Sequence, residues 1–136
     1  MTRWPLALLA VSVYQLDIAL TFAGQPPAYW AGDYVGVDEV NPLAHALLAV
    51  SPWLFLALAF VWAAGFTTVL LTASDRWATV IAHLLAGGHT LGAASWLLRH
   101  GWPGMIAAGL LAFAVSYALT RFTRTDVCSR EGKTLK

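Results

Sequence analysis

Residues 41–73 read NPLAHALLAVSPWLFLALAFVWAAGFTTVLLTA, and the fold class turns on them. The run holds no Asp, Glu, Lys or Arg, and His45 is its only titratable side chain. As one helix it would reach about 50 Å, against an apolar bilayer core of about 30 Å. Pro52 removes a main-chain donor and clashes with the carbonyl one turn earlier, so a break is expected near Ser51. Asn41 followed by Pro42 is an N-cap followed by a first-turn proline. The run therefore divides into a short helix 42–50, or a kinked segment, and a membrane span 52–73. The short piece is apolar on nearly every side. That suits burial against protein better than lying flat on lipid, which needs a charged face.

Outward from this run the chain repeats the same theme. Residues 4–24 form an apolar stretch after Arg3. It is too long for a signal-peptide core and contains Gln15 and Asp17, so it reads as a retained span. Residues 77–98 and about 105–122 supply two more, separated by turns at Ser74–Arg76 and Arg99–Gly104. Residues 25–40 are the one long loop, broken by Pro26, Pro27, Gly32 and Gly36. Tyr29, Trp30 and Tyr34 suit the headgroup belt there. The reading is an all-α integral membrane four-helix bundle over 1–124, with a polar cytoplasmic tail at 125–136.

Composition supports the lipid setting. Of 136 residues 59% are hydrophobic and 11% charged, with a net charge of +1, and the mean hydropathy is +0.65. Soluble domains carry about a quarter charged residues. One cysteine and near-zero net charge exclude a disulfide scaffold and a nucleic-acid binder. Arg3, Arg76, Arg121, Arg124, Arg130, Lys133 and Lys136 share one side in a four-span topology, and Arg99 alone lies on the other. Basic flanks stay inside, so both termini are expected in the cytoplasm, with Cys128 a reduced thiol.

Helix association in lipid relies on small residues at close contact. Gly104, Ala108, Ala112, Ser116 and Thr120 form a ridge at four-residue spacing on the fourth span. Gly88, Gly92 and Ser95 form a second face on the third. Both predict a tightly packed bundle.

Polar residues within the spans are costly and mark functional candidates. Tyr14, Asp17 and Thr21 fall on one stripe of the first helix. Asp17 lies about 20 Å above Trp4, and His89 about 20 Å above Arg76, so the two stand level. His83 lies only about 10 Å up and faces elsewhere, with scope to bond a neighbouring helix. Glu39, Asn41 and His45 arrive at the same outer end. The candidate polar cluster is thus Asp17, Thr21, Glu39, Asn41, His45 and His89. Asp17, Glu39, His45 and His89 include carboxylate and imidazole ligands suited to zinc or another divalent metal. No HExxH spacing accompanies them, and no cofactor is favoured. No GxSxG elbow, phosphate loop or CxxC occurs. No lysine lies inside a span, which excludes a retinal Schiff base, and the histidines are not matched in depth for haem.

Asp17 and Thr21, followed by Glu39-Val40-Asn41-Pro42, resemble a family of small prokaryotic polytopic membrane proteins classed as a domain of unknown function. That family pairs an Asp-x-x-x-Thr motif with Glu-x-Asn-Pro. The resemblance implies that Asp17, Thr21, Glu39 and Asn41 belong to one feature, and it brings no activity. The expected function is that of a non-enzymatic accessory or assembly subunit. Its partners would be the lipid bilayer together with other membrane subunits or a second copy. The alternative is an intramembrane metal-binding protein or hydrolase using the outer cluster.

Overall fold

The computed structural model describes the backbone of residues 3–134 and the side chains of residues 3–123. The protein is all-α, with no strand among the described residues. Its helices are α1 (Trp4–Ala23), α2 (Pro27–Trp30), α3 (Pro42–Val50), α4 (Pro52–Thr72), α5 (Asp75–Leu97) and α6 (Gly101–Thr134), with short 3₁₀ turns at Tyr34–Gly36 and Leu98–His100. Three stretches, Trp4–Ala23, Pro52–Thr72 and Asp75–Thr123, are long and apolar enough to cross a membrane. The Arg124, Arg130, Lys133 and Lys136 charges and the Cys128 thiol lie outside the described side chains.

Local chemistry sets the helix boundaries. The Asn41 side chain accepts from Leu43 N and Ala44 N at 3.0 and 3.4 Å, opening α3. Ser51 is extended, at φ −170°, and its hydroxyl accepts from Trp53 N and Leu54 N at 3.2 and 3.4 Å. The backbone thus breaks where Pro52 demands it. The stretch Asp75–Thr123 doubles back at Gly101, whose φ of +65° is readily available only without a Cβ. α6 therefore begins at Gly101, earlier than the expected 105, with Trp102 and Pro103 in its first turn.

Two ion pairs fix the ends of the bundle. Arg3 pairs with Asp75 at 3.0 Å and donates to Leu71 O and Ala73 O, carbonyls at the close of α4. Arg99 holds Asp38 at 2.6 Å and lies 3.8 Å over the Trp96 ring. The start of α1 and the α4–α5 turn therefore share one end, and the 25–40 loop and the α5–α6 turn share the other. α1 and α5 form the central pair, flanked by α4 and α6, which make no close backbone approach to each other. Leu6, Ala7, Ala10 and Val13 of α1 pack with Leu70, Ala82, Ala86, Val115 and Leu119 at the Arg3 end.

Three packing expectations are corrected. Gly104 and Ala108 are buried, but Ala112, Ser116 and Thr120 face outward. Four residues advance about 400° around a helix, so a strict four-residue ridge drifts about 40° per step and leaves the interface. The contact stripe instead mixes three- and four-residue steps through Ala108, Leu111, Val115 and Leu119. On α5 the close-contact residues are Ala78, Ala82, Ala86 and Ala93, while Gly88 and Ser95 are exposed. Helix α3 lies on the outside with only Leu48 buried, rather than enclosed by protein.

The loop before α3 is a folded cap. Gln25, nearly buried, donates to Thr21 O at 2.9 Å and Asp38 O at 3.2 Å and accepts from Asp38 N at 2.9 Å. Tyr29 is fully buried against the protein, and its hydroxyl donates to Leu48 O at 3.0 Å. Burial pushes the Tyr29 phenol up, and neighbouring Tyr34 adds to the shift.

Candidate functional site

The polar residues of α1 and α5 meet toward the Arg99–Asp38 end of the bundle. His89 Nδ1 lies 2.8 Å from Asp17 Oδ2. The side chains are 27% and 15% exposed, so the contact is largely enclosed by protein. With Nδ1 donating to the carboxylate, the free ring nitrogen is Nε2. The imidazole is also held edge-on by the Tyr14 ring, at 4.7 Å between centroids, and Tyr14 is itself anchored by its hydroxyl to Ala59 O at 3.0 Å. The level placement of Asp17 and His89, read from helix rise, corresponds to direct contact.

Gly92 makes this contact possible. A Cβ there would stand 2.5–2.7 Å from three atoms of the Asp17 carboxylate. The glycine thus receives a side chain rather than a neighbouring helix, which corrects its reading as a pure packing residue. Gly88, Gly92 and Ser95 together border open space where tight packing was expected.

That space is a cavity of about 330 Å³. Asp17, Thr21, Glu39, Asn41 and His89 all line it, so five of the six cluster residues share one site. His45 does not line it, and its Nδ1 sits 3.2 Å from Glu39 O. Glu39 Oε1 accepts from Asn41 N at 2.7 Å, an engagement just ahead of α3. A second, more apolar cavity of about 200 Å³ borders His89 and Asn41 from the other side, between Tyr14, Leu47, Leu58, Trp62 and Phe66.

The four residues considered as metal ligands are not gathered. Among the described residues no group of three or more His, Cys, Asp or Glu is placed to hold a metal ion. Asp17 and His89 are spent on each other, while Glu39 and His45 interact at the start of α3. His83 is exposed, with Nδ1 2.8 Å from Thr79 O of its own helix, rather than bonded to a neighbour.

Sequence reasoning missed Gln25, Phe55 and Trp96, which frame or support the site. An amide between an apolar span and Pro-Pro is a signal for Gln25, since a stranded polar group there needs partners. Phe55 and Trp96 had no such mark among many apolar residues. The chain matches no family model, no curated protein and no solved structure.

Proposed function

We propose that the protein is a non-enzymatic membrane subunit with four spans and both termini in the cytoplasm. Its neighbours would be other membrane proteins or a second copy of itself. The observation that carries this reading is the outward face of α6. Gly109, Ala112, Ser116 and Thr120 are exposed, beside exposed Phe113 and Tyr117. In lipid such small residues permit close helix approach, and the chain's own helices leave them uncovered. The span count rests on the hairpin at Gly101, which turns Asp75–Thr123 into two antiparallel helices. The orientation rests on the distribution of basic residues.

A photo-crosslinking residue at Ala112, with one at exposed Leu84 of α5 as control, tests the subunit role in native membranes. A discrete adduct from position 112 and none from 84 is expected. The same smear from both positions would overturn it. The Asp17–His89 contact favours a second reading, an intramembrane hydrolase in which His89 takes a proton from water. Elemental analysis of the purified protein addresses the metal-binding form of that alternative, and a stoichiometric divalent metal would displace the non-enzymatic reading.

A further inference from the structure

We infer that the cavity beside Asp17 and His89 binds a primary ammonium group carrying an apolar tail. This stands apart from the α6 interface and rests on the cavity alone. Its two acidic side chains, Asp17 and Glu39, keep acceptor capacity to spare. Asp17 uses one carboxylate oxygen on His89 and Glu39 uses one on Asn41 N, leaving the other oxygen of each without a hydrogen bond among the described residues. Thr21 is only 5% exposed and lines the cavity. Seven other helical threonines (Thr67, Thr68, Thr72, Thr79, Thr90, Thr120 and Thr123) turn their hydroxyls back on a carbonyl one turn earlier. The Thr21 hydroxyl makes no such bond among the described residues.

No Lys or Arg lines the site. Arg99, the cation at that end of the bundle, is held by Asp38 and Trp96. None of these oxygens is fully enclosed, so each is open to a group entering the cavity, and two carboxylates without a Lys or Arg favour a cation there. The complement is a positive group with several N–H donors, and an ammonium offers three. Phosphate or carboxylate heads would meet two carboxylates and no cation.

The apolar side fixes the rest of the ligand. Ile18, Asn41, Ala44, Phe55 and His89 border both cavities, so the polar and apolar spaces flank one shared wall. A head at Asp17 and Thr21 can place its tail against Phe55, Leu84, Leu85 and Trp96, which line the same cavity.

The test is a titration of full-length protein in phosphatidylcholine nanodiscs, whose quaternary heads cannot donate. The protein carries isotope-labelled histidine, and His89→Gln assigns the His89 ring signals. Hexylammonium is expected to shift those signals saturably, while hexanoate and hexanol do not. Thr21→Val, close in shape, and Glu39→Gln should each weaken binding severalfold, and Asp17→Asn roughly tenfold or more. Equal shifts from hexanoate or hexanol, a drift that never saturates, or full affinity in Thr21→Val would each overturn the proposal. Replacing the lipid with phosphatidylethanolamine identifies the source of the ammonium. A raised hexylammonium midpoint assigns it to the lipid headgroup, and an unchanged one to a free amine.

Discussion

Asp17→Asn, His89→Gln and the double variant test whether the pair at the cavity wall acts as one unit. The nitrogen and oxygen stand 2.8 Å apart, with the His89 and Asp17 side chains 27% and 15% exposed. A hydrogen bond to a charged partner contributes about 1.5–3 kcal/mol. Removing one member of a fully buried pair costs about 3–5 kcal/mol, because the other is left without its counter-group. The pair borders an open cavity rather than being fully enclosed, so each single variant should cost about 2–3 kcal/mol. The double variant loses the same contact once, so the coupling should be about 1.5–3 kcal/mol. SDS titration in mixed micelles, followed by circular dichroism, gives the four free energies. Additivity within about 0.5 kcal/mol would refute the pairing. Gly92→Ala provides an independent approach, since its Cβ would displace the Asp17 carboxylate. Its cost should largely vanish in an Asp17→Ala background, where only the modest helix-propensity gain remains.

Ala86→Ile adds carbons to a fully buried contact between α1, α5 and α6, and should lower detergent stability by about 1–3 kcal/mol, whereas Ala112→Ile on the outward face should be near neutral. A thermal-shift series that ranks the two the other way would place the α6 interface on the wrong face. Gln25→Ala removes its bond to Thr21 O of α1 and both of its bonds to Asp38, and should speed amide exchange at Asp38 by at least about tenfold. Unchanged exchange there would show that Tyr29 and the Arg99–Asp38 pair hold the cap without it.

The sequence by itself determined what depends on near neighbours along the chain. Apolar run length marked the helices long enough to span a membrane, Asn41 and Ser51 with their prolines set the starts of α3 and α4, and Pro52 separated the two. Even the level placement of Asp17 and His89 followed from a fixed rise per residue. Rotation of one helix against another is another matter. A drift of about 40° per four residues decides whether Ala112 touches protein or faces outward, and nothing local to α6 fixes it. Tertiary structure alone decided that alanines rather than glycines line the α5 interface, and that Gly92 receives a carboxylate. It also decided that Tyr29 and Gln25 turn inward to build the cap. These outcomes depend on which faces remain uncovered once α1, α4, α5 and the 25–40 loop are packed. The cavity beside Thr21 is one such residue of packing: it is the space that four separate segments leave between them, and no single segment encodes it.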